Sequence, residues 1–579
     1  MTFLAVWLLL AAQTNKTPPN VVVILADDQG WGDLAINGNS AARTPHIDSL
    51  ARQGARFDRF FVQPVCAPTR AEFLTGRWHP RGGVYGVSTG GERLDLDERT
   101  IADIFRKAGY ATGCFGKWHN GSQYPYHPLG RGFDTYYGFT SGHWGDYFSP
   151  PLDLDGQPTQ GNGYLTDDIT GKAIDFVGRN TKSGKPFFCY LALNTPHSPM
   201  QVPEPYWKRY QNKTLLPVDG TDAMHSRAAL AMGENIDDNV GRLLAELTKR
   251  GIDSNTIVVY FSDNGPNGIR YNGGMRGIKG TTDEGGTRSA LHARWPGHIP
   301  AGTVVTPVGA AIDLLPTLAE LARIPVDSNK PLDGISLAPA ILGVNSLADC
   351  NRVLYQHWAG KTSARNQTHR LDSQGRLYHL ATDPGQKTDI KDREPDTHQQ
   401  LTNAVTEWRR TVLRETPLLE IRPFTVGYSA LPRAVLPARD GVPHGGIKRS
   451  APAPNCSYFT RWTQPADSMT WQVEIHEAGQ FEAVLHYACP AVDIGSAIQL
   501  ACGKSAWKGT IAMAHDPPAR GAENDRVPRK GESLVKDFKT MSLGMADLAA
   551  GPAVLDLRAT RVAGSQVAEI RAVELILRK

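Results

Sequence analysis

Asp27 and Asp28 follow the apolar run NVVVILA (20–26) without a gap. Lys117, Trp118 and His119 follow YATGCFG (110–116), Asn194 and His197 follow PFFCYLAL (186–193), and Asp263 and Asn264 follow TIVVYFS (256–262). A single DD or DNG is an ordinary turn, and a single histidine after a strand is an ordinary packed side chain. Four such features at the ends of four apolar runs form a pattern, because an open α/β sheet builds its sites outside the carboxyl ends of its strands. Asp27, Asp28, Asp263 and Asn264 offer hard oxygen ligands. Three carboxylates brought together repel one another and lose hydration unless a cation sits among them. All-oxygen ligation suits Ca2+ or Mg2+ rather than zinc. Arg70, Lys117 and Lys279 (in GIKGTTDEGG) add fixed positive charge, and His119 and His197 can move protons near neutral pH. A divalent cation ringed by such groups is a receptor for a tetrahedral oxyanion, so the set suits hydrolysis of an anionic ester. It still lacks a nucleophile.

The stretch CAPTRAEFLTGR (66–77) places Cys66 at the head of a helix-like run. By residue type alone Cys66 is a packed thiol, half of a disulfide, a metal ligand or a nucleophile. A thiolate beside a hard cation is a poor match, since soft sulfur prefers soft metals. The other six cysteines are Cys114, Cys189, Cys350, Cys456, Cys489 and Cys502, too sparse for a disulfide scaffold or a CxxC zinc site. Cys114 and Cys189 lie in strand-like runs and read as packed thiols; Cys489 and Cys502 could pair.

The elements that must position these residues can be read from the apolar periodicity. The four runs are apolar on consecutive residues, as strands buried on both faces should be. Helical patterns such as HIDSLARQGARF, TIADIFRKAG and NIDDNVGRLLAELTKRG lie between them. The alternation predicts an α/β catalytic domain over 20–325, with a large mixed, mainly parallel sheet flanked by helices. A smaller α+β subdomain follows at 326–416, where Leu401, Val405, Trp408 and Val412 share one side of a helix. A Pro/Gly-rich passage at 417–454 reads as a linker that packs on the first domain. Alternating strands from 455 to 579 predict an all-β sandwich. At the start, residues 1–19 read as a signal peptide and lead-in: the apolar core Phe3–Leu10 is too short to cross a bilayer, which needs about 20 apolar residues. The chain is expected to be exported. A length of 579 residues, 40% hydrophobic and 21% charged, describes a multidomain globular protein. A net charge of +4 with no dense Lys/Arg run excludes a nucleic-acid binder driven by bulk charge. No other segment has the length of a membrane helix.

CAPTRAEFLTGR resembles the signature of the type I sulfatases, Cys-x-Pro-x-Arg followed by x-x-x-Leu-Thr-Gly-Arg. The resemblance covers about residues 20–415 and includes VVVILADDQGWGDL, GKWH, NTPHSP, SDNG and KGTTDEGGTR. It implies an alkaline-phosphatase-like fold and oxidation of Cys66 to Cα-formylglycine by a formylglycine-generating enzyme. The hydrated aldehyde is then an oxygen nucleophile compatible with Ca2+. One hydroxyl attacks sulfur, and the second is deprotonated so that sulfate is eliminated, which splits the reaction into two easier steps. The resemblance assigns Asp27, Asp28, Asp263, Asn264 and the modified Cys66 as metal ligands, with Ca2+ ahead of Mg2+. It gives Arg70 and Lys117 the orientation of the gem-diol and His119 the elimination. His197 protonates the leaving oxygen or holds the sulfate, and Lys279 binds sulfate oxygens.

Specificity should come from loops outside this core. Residues 119–148 are rich in aromatics, His and Gly, and read either as a sugar-binding loop or as a packed surface loop. His143, Asp146 and Arg131 are its candidates for substrate contacts. Arg270 and Tyr271 follow the metal-ligand motif closely, and Arg288 closes KGTTDEGGTR. His357, His369 and Arg370 are candidates for the far wall of the pocket. Trp462, Trp471 and Trp507 are either sandwich core or a sugar platform, with core the commoner use. The GKWHNG and SGHWGDYF contexts resemble bacterial sulfatases acting on glycans, so a sulfated sugar is the expected substrate. The alternatives are a phosphate or phosphonate ester hydrolase on the same fold, and an inactive glycan-binding homologue.

Overall fold

The computed structural model describes residues 17–344, 351–413 and 422–578. The N-terminal apolar stretch and Cys350 lie outside the described residues. Among the described residues, no helix is long and apolar enough to cross a membrane.

The four apolar runs form neighbouring strands: β1 (Asn20–Ala26), β2 (Ala111–Lys117), β3 (Phe187–Ala192) and β4 (Thr256–Ser262). They sit at the centre of a ten-stranded mixed sheet, in the order β4-β1-β3-β2, all parallel. Thr135–Phe139 extends the parallel set beside β2, and antiparallel strands such as Leu291–Arg294 lie further out. Every residue of β1 is buried because both faces of the sheet are covered. Val21, Val23 and Leu25 join a core with Phe73, Leu74, Leu314 and Leu318. Val22 and Ile24 face the opposite core, with Ile169 and Val177 of one helix (Leu165–Ser183) and Ile236 and Val240 of another (Ala223–Lys249).

Register explains why the polar residues meet. Ala26 pairs with Ser262, Leu25 with Ala192 and Gly116 with Ala192, so the four strands end at one level. The helix α1 (Cys66–Thr75) begins beside those ends and is buried along its whole length. Gly76, with φ 69°, closes it in the left-handed conformation.

The smaller region holds a four-stranded antiparallel sheet (Leu354–Trp358, Lys361–Arg365, His369–Leu371, Leu377–His379) and the helix Pro395–Val412, which buries Leu401, Trp408 and Val412. The C-terminal region is two six-stranded sheets packed on one core. Four strands from the passage read as a linker join them: Phe424–Val426, Arg433–Pro437, Val442–His444 and Lys448–Arg449. Their prolines sit on short pairings at sheet edges, where a missing N–H is tolerated. Phe424, Val426 and Leu436 are buried in the sandwich core. Trp462, Trp471 and Trp507 are buried there too and form no platform. Cys114, Cys189, Cys489 and Cys502 are free buried thiols, so the pairing of Cys489 with Cys502 is not made.

Candidate active site

Asp27 and Asp28 leave β1 where the chain reverses. Asp28 holds φ 66°, and His119, two residues past β2, holds φ 65°. A non-glycine residue in that region costs about 1–2 kcal/mol, so the surrounding contacts must fix it. Arg270 supplies one: its Nη2 donates to the Asp28 carbonyl at 3.2 Å while Nε and Nη2 each donate to Asp33 at 2.7 Å.

The floor of the pocket is fully buried. Lys117 Nζ donates to Asp27 Oδ2 at 2.6 Å. Arg70 Nε and Nη2 donate to Asp263 Oδ2 at 3.0 and 2.7 Å, and its Nη1 donates to the Lys117 carbonyl at 2.7 Å. Lys279 Nζ lies 2.7 Å from Asp28 Oδ1, and Asn264 Nδ2 donates to the same oxygen at 2.8 Å. His197 Nε2 is 3.7 Å from Asp28 Oδ2. Cys66 Sγ and carboxylate oxygens of Asp27 and Asp263 all lie within 4.8 Å of one another.

Protonation follows from these contacts. Burial works against the charge on Asp28, but Lys279, His197 and Lys117 outweigh it and hold the carboxyl well below its usual range. Asp263 is pushed up to about 6 by burial and the neighbouring Asp27 charge, against Arg70. Burial pushes the Cys66 thiol up although Lys117 and Lys279 oppose it, so an unmodified Cys66 is a neutral thiol and a poor nucleophile. Burial, then Lys117, lowers His119 well below 6.5. His119 Nε2 can only donate to the Val87 carbonyl, at 2.8 Å, which leaves the lone pair on a buried, unpartnered Nδ1. The His197 Nδ1 donates to the Ser198 carbonyl at 2.7 Å, so its exchangeable proton position is Nε2; burial and then Lys279 bring this group down to about 4.

The donor set fits a hard divalent cation. Asp27 Oδ1 and Asn264 Oδ1 are buried with no hydrogen-bond partner among the described residues. An orphaned carboxylate oxygen and an orphaned amide oxygen, beside two more carboxylates, are what oxygen ligation uses.

The residues expected at the rim divide. His143 packs against His197, with ring centroids 5.6 Å apart, and is in the pocket wall. Asp146 instead pairs with Arg520 at 2.5 Å. Arg270 holds Asp33 and the Asp28 backbone rather than facing the pocket. Arg288 donates to the Asp58 carbonyl and lies over the Trp31 ring, 4.9 Å from its centroid. Arg131 donates to the carbonyls of Asp95, Leu96 and Glu98, and Tyr271 to that of Asn37. His357 stacks on His79, His369 pairs with Glu394, and Arg370 pairs with Glu284, so none of the three forms the far wall. These side chains are charged or aromatic and near motifs in sequence, but partners outside the pocket claim them. Residues 511–538 do reach the pocket: Glu532 Oε1 accepts from Ser198 Oγ at 2.5 Å. No periodicity marks that segment.

A parallel sheet with carboxylates, lysines and histidines at one end, a helix N-terminus carrying Cys66, and orphaned oxygen ligands define an alkaline-phosphatase-like hydrolase of anionic esters. Comparison with known proteins narrows the class. Residues 19–324 match the Sulfatase family model. The chain is 35% identical over 368 residues to N-acetylgalactosamine-6-sulfatase of Mus musculus, covering 58% of this chain and 68% of that protein. It is 35% identical over 372 residues to Arylsulfatase A of Homo sapiens, covering 58% and 70%. The crystal structure of Ps i-CgsB in complex with k-i-k-neocarrahexaose matches with a TM-score of 0.62 at 30% identity, covering 68% of this chain and 92% of that one. The chain belongs to the sulfatase family and is a sulfuric ester hydrolase.

Proposed function

We propose that this sulfatase releases inorganic sulfate from a sulfated carbohydrate, using formylglycine at position 66 and a bound Ca2+. The observation that carries the chemistry is Cys66 itself: a neutral thiol at a helix N-terminus among Asp27, Asp263, Lys117 and Arg70, useless as sulfur and well placed as a hydrated aldehyde. The carbohydrate reading rests on the relatives, one of which is named for N-acetylgalactosamine 6-sulfate and one solved with a neocarrahexaose.

Asp27, Asp28, Asp263 and Asn264 would hold the cation. When bound, it polarises the sulfate ester and favours the ionised hydrate as nucleophile. Arg70 and Lys117 fix the carboxylates beside position 66 and present positive charge to it. Lys279, kept charged by Asp28 against burial, holds sulfate oxygens at the partly open side of the pocket. Nδ1 of His119 accepts the proton whose removal lets sulfate leave. His197 keeps Nε2 free because its Nδ1–H is tied to the Ser198 carbonyl; once Nε2 has taken up a proton from solvent, it passes that proton to the departing sugar oxygen.

The test begins with the mass of the tryptic peptide containing Cys66, where conversion of the thiol to the aldehyde removes about 18 Da. Converted protein is then assayed for sulfate release from monosulfated hexoses and N-acetylhexosamines. Cys66→Ala should abolish turnover and leave the melting temperature unchanged. Wild-type activity in that variant refutes the mechanism.

A further inference from the structure

The C-terminal sandwich is not merely appended to the catalytic domain. Residues 511–538 connect Ser505–Thr510 in one sheet to Lys539–Leu548 in the other, and they lie along the segment that carries His197. Arg526 N donates to the Met200 carbonyl at 2.8 Å, and Arg526 Nη2 to that of Val202 at 2.9 Å. Gln201 Nε2 donates to the Gly521 carbonyl and to Asp525 Oδ1, at 2.8 and 2.9 Å. Arg520 pairs with Asp146, whose neighbour Tyr147 bonds to the same His197–Gln201 segment. Gly145 allows this approach, since a Cβ there would lie 2.8 Å from Cγ2 of Val535.

This anchoring delivers Glu532 to the pocket mouth. The floor side chains Asp28 and Arg70 are 0% exposed, whereas Lys279, His197 and Glu532 are 19%, 12% and 16% exposed, which places all three at the opening. Oε1 of Glu532 accepts from Ser198 Oγ, next to His197. Its Oε2 accepts no hydrogen bond among the described residues. His143 Nδ1 is 3.8 Å from Oε1, too long for a hydrogen bond, and burial keeps that ring neutral, so it does not cancel the carboxylate charge.

We propose that Glu532 is a substrate-contacting, specificity-determining residue whose free Oε2 accepts a hydrogen bond from a hydroxyl or amide N–H of the sugar that carries the sulfate. The proposal rests on the carbohydrate reading above. An acceptor of this kind rejects a ligand that offers no donor, because its own desolvation then goes uncompensated. It also repels a carboxylate or a second sulfate at that point, so the sugar face it reads is neutral. Fold and site are thereby coupled: the sandwich supplies one wall of the pocket built by the α/β domain.

The experiment uses full-length protein with conversion of Cys66 confirmed by mass. Wild type, Glu532→Gln and Glu532→Ala are compared on 4-nitrophenyl sulfate, which has no sugar donors, and on the best substrate among monosulfated hexoses and N-acetylhexosamines. Glu532→Gln keeps an acceptor for Ser198 Oγ. The expected result is that kcat/KM for the sugar sulfate, divided by that for the aryl sulfate, falls about tenfold or more in both variants. An unchanged ratio overturns the proposal, whether both activities hold or both fall together. A wild type that turns over the aryl ester and no sugar sulfate overturns instead the carbohydrate reading on which it rests.

Discussion

Calcium should stabilise this chain, and one amide should account for much of the gain. Asn264 presents an orphaned Oδ1 to the three carboxylates while its Nδ2 donates to Asp28 Oδ1 at 2.8 Å. A ligand that binds only the folded state at about 100 times its Kd stabilises by about 2.7 kcal/mol. For a domain of the size matched by residues 19–324, about 2 °C of melting temperature per kcal/mol gives a rise of about 5 °C. Asn264→Ala removes the amide oxygen. A tenfold loss of affinity, at the low end for losing a metal-site partner, corresponds to about 1.4 kcal/mol, so the same calcium concentration should give only about half the rise. Thermal unfolding of each protein is followed with EDTA and with excess Ca2+, and the difference is taken within each protein, which cancels the hydrogen bond that the substitution also removes. An unmoved wild-type transition refutes the reasoning, because Arg70, Lys117 and Lys279 would then suffice to neutralise the carboxylates. Equal rises in wild type and Asn264→Ala refute it differently, by placing the cation elsewhere; the half-exposed group His46, Asp237 and Asp238 is the other described cluster outside the pocket with suitable ligand atoms.

Two further outcomes follow from the buried charges. Burial brings His292, on the strand Leu291–Arg294, down to about 4, below its ordinary 6.5, so the stability it contributes is whole above pH 6.5 and lost as pH falls toward 4. The loss is about 2 kcal/mol at pH 5, and His292→Leu should destabilise less than wild type between pH 7 and pH 5 in melting experiments; parallel declines count against it. Glu284 ties the helical turn Glu284–Thr287 to the four-stranded sheet, with Oε1 at 3.0 Å from Arg365 and Oε2 at 3.3 Å from Arg370. Glu284→Gln leaves two buried guanidinium groups without a counter-charge and should cost about 3–5 kcal/mol in denaturant unfolding, whereas a cost below about 1 kcal/mol refutes the pairing as a structural link.

The central sheet was legible because a strand buried on both faces must be apolar on every residue, and NVVVILA and TIVVYFS are. The candidate pocket was legible for a related reason: in a parallel sheet the residues after each strand land together, so Asp27, Lys117, His197 and Asp263 could be grouped without knowing the register. What could not be read was the direction of side chains outside the strand ends. Arg270 and Asp146 stand near the right motifs, yet each faces a partner distant in sequence, Asp33 and Arg520, that spacing cannot reveal. Glu532 carries no signal at all, since it sits on an irregular segment and meets Ser198 across a sequence separation of 334 residues. The prolines and glycines of 417–454 suggested a linker because composition alone does not distinguish an edge strand from a loop.

The charges of the pocket bear on which ester it hydrolyses. Asp27, Asp28 and Asp263 are matched one for one by Arg70, Lys117 and Lys279, and burial keeps His119, His143 and His197 neutral. These six groups at the floor therefore sum to no net charge, and a divalent cation would bring the floor to +2, with the Glu532 carboxylate outside this sum at the mouth. A sulfate monoester carries −1 when it binds, and the charge at its sulfur and leaving oxygen approaches −2 only as the ester bond breaks. The electrostatic match is therefore closest at the transition state, which is where stabilisation accelerates the reaction. Protonated histidines would shift that match toward excess positive charge and tighten the grip on the released sulfate dianion, so the burial of all three rings favours product departure. A phosphate monoester already carries close to −2 at neutral pH, and the same pocket would satisfy it in the ground state, where tighter binding gives the chemical step nothing.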